Sequence, residues 1–179
     1  PLAAASVDLV WSSMALHWAA DPLAVLREFH RVLAPGGLLM LSAPGPDTLA
    51  ELRAAAGPGR VHAFADMHDL GALLVAAGFA EPVMDMERMT FVYPDAATLL
   101  GDLRASGQTH AGSPGEGAAA RGLAGRGFRA SLEQRLREAM REGALPVTIE
   151  AVYGHAWRAD KAPARRADGR AIVHFERRR

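Results

Sequence analysis

No cysteine occurs among the 179 residues, which excludes disulfides, thiolate metal sites and a cysteine nucleophile. Stability has to come from packing. Long apolar runs are also absent, since none approaches the roughly 20 residues that a spanning helix needs, so a soluble chain with no membrane partner is expected. Net charge is lacking too. Twenty basic residues cancel 20 acidic ones, which removes a global electrostatic case for nucleic acid. Lysine is nearly missing, with Lys161 the only one; the other basic residues are arginines, which suit carboxylate and phosphate. No metal-ligand cluster, nucleophile triad or carboxylate pair stands out, and no internal repeat is found.

What remains is a chain that is 50% apolar and long enough for one domain with a sizeable core. Val7 to Trp11 reads as a short strand interrupted by Asp8 and ending at Ser12 and Ser13. Asp21 then caps a helix with Pro22 at its first position, and Leu23, Leu26, Phe29, His30 and Leu33 recur along one face. "APGG" at 34–37 stops it, and Leu38 to Leu41 is the continuous apolar run of a strand covered on both faces. Thr48 and Glu51 have capping-box spacing for a helix through about Ala56. Asp66 and Asp69 open a further helix that Gly78 closes after Ala77.

Pro82 to Tyr93 has strand character, either as one long bent strand or as two short ones, and Asp95 caps a helix to about Ser106. The Gly-rich interval 107–130 lacks an apolar face and is expected to be a loop, except that Leu132, Leu136 and Met140 predict a helix over Ser131 to Glu142. Val147 to Trp157 is a last strand, followed by an Arg-rich tail over 158–179 with a candidate edge strand at Ala171 to Phe175. The alternation predicts an α/β sheet with helical crossovers and a parallel core. Ligands in such sheets bind beyond the carboxyl ends of the strands, which directs attention to Ser12 to Asp21 and Ser42 to Thr48. Position 1 is Pro and a strand begins a few residues later, so an upstream portion is expected, with Val7 to Trp11 as an uncovered edge.

"VDLVWSSMALHW" followed by "DPLAVLREFHRVLAPGGLLMLS" resembles the fourth strand, loop, helix and fifth strand of class I S-adenosylmethionine-dependent methyltransferases. "GPDTLAELR", "FADMHDLGALLVAAGFAEPVMDME" and "VYGHAW" narrow the resemblance to the malonyl-acyl-carrier-protein O-methyltransferases of biotin synthesis. The resemblance implies a Rossmann-like class I methyltransferase sheet, truncated to its carboxyl-terminal strands plus inserted helices, with the domain running over 1–157. It also implies S-adenosyl-L-methionine as cofactor, acyl carrier protein as partner and the malonyl carboxylate as methyl acceptor. Nothing here matches the family's Gly-rich cofactor loop. Two other readings stay open: a methyltransferase of this fold acting on another small acid or amine, and a related assembly or modification factor that transfers no methyl group.

Methylating a carboxylate needs no general base, because a carboxyl group titrates near 4 and is ionised at neutral pH. Positioning then dominates. The resemblance places Ser12, Ser13 and Trp18 near the cofactor, with a plain turn and core packing as the alternative readings. His17 is the candidate for holding the reacting carboxylate, or else a helix cap. Gly45, Asp47 and Thr48 form a candidate substrate rim or a capped helix start. His68, Arg104, Tyr153 and His155 are further candidates on the substrate side, the last pair sharing one sheet face. Met84, Met86 and Met89 read as adaptable core. Acyl carrier proteins are acidic, so Arg121, Arg126, Arg129 or Arg165, Arg166 and Arg170 are candidates for docking.

Overall fold

The computed structural model describes residues 1–107 and 127–159. Strand β1 (Val7–Ser13) leads through a single 3-10 turn at Leu16–Trp18 into α1 (Pro22–Val32) and β2 (Leu33–Pro44). Helices α2 (Ala50–Ala56) and α3 (Met67–Ala77) precede β3 (Ala80–Tyr93), and α4 (Ala96–Ala105) and α5 (Phe128–Glu138) precede β4 (Leu145–Trp157). The candidate strand at Ala171 to Phe175 and most of the Gly-rich interval lie outside the described residues. Among the described residues, no helix is long and apolar enough to cross a membrane.

Local capping signals account for three helix starts. Asp21 accepts from Ala24 N at 3.0 Å, Asp66 from His68 N at 2.7 Å and Asp95 from Thr98 N at 2.7 Å. Gly78 ends α3 in the left-handed region at φ +99°, as a C-terminal glycine should. "APGG" does more than stop α1, because it forms a bulge inside β2 between the pairs Val7 with Leu33 and Leu9 with Leu38. A Cβ on Gly37 would come within 2.8 Å of Ala34 O, so this bulge requires glycine there. Arg158 clasps it: Gly36 N donates to Arg158 O at 2.8 Å, and the guanidinium donates to the carbonyls of Arg31 and Leu33 at the end of α1.

The sheet order is β1-β2-β4-β3. The expected parallel core holds only for β1 with β2, since β4 inserts between β2 and β3 and runs antiparallel to both. Burial explains the central placement, with Leu145, Val147, Ala151, Val152 and Ala156 of β4 all 0% exposed. Residues 82–93 belong to one long strand, paired with β4 from Val83 to Tyr93. Helices α1 and α3 cover one face of β1, β2 and β4 through Leu26, Leu39, Leu41, Leu74 and Val152. Helices α2, α4 and α5 bury the far end of β4 with Leu52, Leu99, Leu136 and Val147. Helix α5 starts at Phe128, earlier than the apolar spacing predicted, because Phe128 packs into this second cluster under the Arg60 guanidinium, 4.2 Å from its ring centroid. It also ends earlier, at Glu138, before a turn bridged by Arg141 and Ala144.

The capping box proposed for Thr48 and Glu51 does not form. Helix α2 is capped by Leu49 at φ +57° without a side-chain bond. Thr48 Oγ1 instead donates to Glu150 O at 2.9 Å and accepts from Glu150 N at 3.0 Å. The Glu51 carboxylate accepts from Thr148 N at 2.9 Å and from Thr148 Oγ1 at 2.6 Å. Both residues tie α2 to β4, because a buried strand backbone needs partners more than a partly solvated helix end does.

Strand β1 lies at the sheet edge, with Leu9 52% and Trp11 76% exposed on the face opposite α1 and α3. Substituting Leu74→Ala is expected to cost about 2–5 kcal/mol in urea denaturation, whereas Leu9→Ser at the exposed edge should change stability by about 0.5 kcal/mol or less. Burial pushes the Glu51 carboxyl up, but the two hydrogen bonds from Thr148 outweigh this and hold it below its ordinary value of 4.5. The resulting stabilisation is present above that value and is lost as pH falls through the lower folded one. Denaturation curves between about pH 5 and pH 3 should show a smaller loss for Glu51→Gln than for the native chain.

Candidate functional site

Two concavities meet the carboxyl ends of β1 and β2. The larger, about 540 Å³, is an open trough on the uncovered sheet face, floored by Trp11, Ser13, Met40, Ser42, Tyr153 and His155. Register explains its make-up. Trp11 pairs with Met40, Met40 with His155 and His155 with Val83, while Ser13, Ser42, Tyr153 and Asp85 form the next row. Tyr153 and His155 therefore share a face, as their alternation predicts. The smaller pocket, about 160 Å³, lies on the helix-covered side, walled by His17, His62, Phe64, Ala43, Pro44 and Leu70.

Ser12 and Ser13 part company where β1 ends. Ser12 is buried at 7% exposure on the helix side. Ser13 faces the trough and accepts from Ser42 Oγ at 3.3 Å, and Met14 N donates to Ser42 O at 2.9 Å. The 3-10 turn then carries His17 inward and leaves Trp18 47% exposed. Trp18 is thus no core residue, and His17 does not cap α1, whose cap is Asp21.

The His17 ring sits in an aromatic cage. Its centroid lies 4.8 Å from Trp18, 5.6 Å edge-on from Phe64 and 6.1 Å from His62, and His62 lies 5.0 Å from Phe64. Both ring nitrogens of His17 are buried and neither has a hydrogen-bond partner among the described residues. Burial first, and then the like charge of His62, push the His17 imidazole below its ordinary value; burial alone does the same to His62. The pocket thus offers uncharged imidazoles near neutral pH.

Gly45, Asp47 and Thr48 wall neither concavity. They form a clasp around Glu150, which is 3% exposed. Asp47 N donates to Glu150 Oε2 at 3.1 Å, Arg88 bridges Asp47 and Glu150, and a Cβ on Gly45 would come within 2.6 Å of Glu150 Oε1. His68 is exposed beside its Asp66 cap, with Nδ1 2.8 Å from Oδ1. Arg104 is exposed in the last turn of α4 and lines neither concavity. Of the methionines read as core, Met84 packs against the first cluster but Met86 is 39% exposed. Among the proposed docking arginines only Arg129 is described, and its Nε donates to Glu133 at 2.9 Å; the others lie outside the described residues. No group of acidic and imidazole side chains able to hold a metal occurs among the described residues.

Sequence reasoning missed His62, Phe64, Glu150 and Arg88. The first pair had only a faint signal, two ring-bearing residues separated by Ala63 shortly before Asp66. The second pair had none, because it pairs across strands far apart in sequence.

The family described as "Methyltransferase domain" matches residues 1–41. The chain is 49% identical over 180 residues to a malonyl-[acyl-carrier protein] O-methyltransferase of Laribacter hongkongensis, covering 98% of this chain and 59% of that protein. It is 49% identical over 177 residues to the enzyme of that name from Gallionella capsiferriformans, with 97% and 59% coverage. A Coxiella burnetii relative of that name is 39% identical over 97% of this chain and 61% of its own length. The chain therefore spans about 60% of the length of these curated relatives. Among solved structures, a Bacillus halodurans protein assigned to the methyltransferases aligns over 89% of this chain and 73% of its own, with a TM-score of 0.59 and 16% identity. The YcgJ protein of Bacillus subtilis aligns over 90% and 68%, with a TM-score of 0.57 and 15% identity. These structural likenesses establish the fold.

Nuclear magnetic resonance titration of the imidazole protons should place His17 and His62 below 6.5. In His62→Ala the His17 value should rise, because the variant removes a like charge and admits water at the same time.

Proposed function

We propose that this chain, which has the class I methyltransferase fold and is homologous over nearly all its length to part of the malonyl-[acyl-carrier protein] O-methyltransferases, forms the acceptor side of such an enzyme. Its product is the methyl ester of a malonyl group carried on acyl carrier protein, made in biotin synthesis. The observation that supports this most directly is the 49% identity over 180 residues, an alignment that covers 98% of the chain.

S-adenosylmethionine, when bound, would supply a sulfonium methyl whose transfer to a carboxylate oxygen would turn an anion and a cation into a neutral ester and a thioether, with no proton to move. On this reading Ser13 and Trp18 would meet one flank of the cofactor. Ser13 retains a hydroxyl proton to donate, since its described bond is one it accepts, and Trp18 has free indole surface at the same loop. Ser12, turned into the core, offers backbone only. Charge is consumed in the reaction, so a surrounding poor in water and in fixed charge favours the transition state over the separated ions. His17 and Phe64 wall such a surrounding, and the Glu150 clasp holds the loop after β2 in place beside it.

Incubating the native-length polypeptide with malonyl-acyl carrier protein and methyl-labelled S-adenosylmethionine should yield a labelled ester by mass spectrometry. Rescue of a biotin auxotroph by the gene should accompany it. Label transferred to another small acid or an amine, with none on the malonyl carrier, would reassign the acceptor.

A further inference from the structure

The pocket at the 3-10 turn contains a chemical mismatch. Imidazole nitrogens with no partner are costly to bury, and both nitrogens of His17 are in that position, in a residue that lines a cavity. A second imidazole, His62, lines the same cavity with its ring centroid 6.1 Å from that of His17. Phe64, Ala43, Pro44 and Leu70 complete apolar walls. At about 160 Å³ the cavity is well below the roughly 300–1,000 Å³ of pockets that take drug-sized ligands, so it suits a short acid head and not a nucleoside.

We propose that His17 and His62 together seat the substrate's carboxylate, each ring donating one N–H to it, and that Phe64 limits the length of the acyl head the seat accepts. This deepens the function proposed above and rests on it. Two donors that far apart can be bridged by the two oxygens of one carboxylate, which would give the protonated nitrogen of His17 the partner it lacks.

Uncharged donors also suit the chemistry better than an arginine would. A guanidinium paired with the carboxylate stabilises the charged ground state most, and that stabilisation fades as the oxygen's charge is consumed. Neutral imidazoles hold the oxygen in line while giving up less of this differential. The lowered titration of both rings agrees with that state. His62 and Phe64 are accordingly assigned to the acceptor site along with His17, whereas the exposed Arg104 is not.

The test uses the native-length enzyme. His62→Leu and His17→Leu should each raise KM for malonyl-acyl carrier protein about 10-fold or more, since a hydrogen bond to a charged group is lost. The KM for S-adenosylmethionine should stay within about twofold, and His62→Gln, which keeps an N–H donor, should recover most of the loss. His17→Leu should also raise the unfolding midpoint, because it replaces unpartnered polar atoms with an apolar side chain; a histidine serving only structure would lower it. Phe64→Ala should shift the preference from malonyl to succinyl carrier by about 10-fold. Unchanged KM in both leucine variants, in an enzyme that does esterify the malonyl carrier, overturns the seat and leaves the functional reading intact. If the native enzyme forms no malonyl ester, that reading falls, and titration with sodium malonate decides the seat alone. Shifts of the His17 and His62 ring resonances that dimethyl malonate does not reproduce sustain it, and their absence overturns it.

Discussion

Strand β4 is the element on which the described architecture depends, because it hydrogen-bonds along both edges, to β2 and to β3. Its backbone is so thoroughly enclosed that polar side chains from α2 and its approach are drawn in to complete it, as Thr48 does for Glu150 and Glu51 for Thr148. Glu150 itself is a buried carboxylate, tolerable only because Asp47 N and the Arg88 guanidinium reach it. Gly45 is the steric condition for that arrangement, since any side chain there would collide with the carboxylate. Sheet centre, loop geometry and buried charge are thus one constraint.

That constraint also decides what the loop after β2 is free to do. Thr48 spends its hydroxyl on β4, and Asp47 its backbone N–H on Glu150 and its carboxylate on Arg88. A loop so occupied is a support. The neighbouring turn after β1 differs, because the 3-10 geometry at Leu16–Trp18 turns an imidazole inward without giving it a partner. Satisfied polar groups stabilise a fold, whereas unsatisfied ones at a cavity wall are available to a ligand. The contrast between these two loops separates scaffold from site more sharply than residue type does.

How much of this was legible in sequence follows from the range of each interaction. Asp21, Asp66 and Asp95 cap helices through bonds to backbone two or three residues on, so their positions before apolar periodicity sufficed. Thr48 and Glu51 have the same local spacing, yet their partners lie 97 to 102 residues away, and no local rule distinguishes the two cases. The antiparallel insertion of β4 was invisible for a like reason: an apolar strand at the end of a chain announces burial but not which two strands will flank it. His17 was identified from its loop. His62 was not, because its significance exists only once α3 and the turn after β1 enclose the same cavity.

The two faces of the sheet make different demands, and this bears on where the site's geometry comes from. On the open face Leu9, Trp11, Met40 and Val83 are 46–76% exposed, an apolar row of the kind that strands covered on both sides carry. On the other face Leu39, Leu41 and Leu74 are sealed by α1 and α3. The His17 pocket lies on the sealed side, walled by α3, the strand ends and the segment carrying His62 and Phe64. Its described walls all belong to that side of the sheet or to the loops at the strand ends. Close packing transmits displacement, so the imidazoles are held by the same core that holds α1 and α3 against β2. A small acid seated there would be positioned by walls that include Leu16 and Leu70 of the buried core, as a reaction that depends on aim rather than on acid-base chemistry requires.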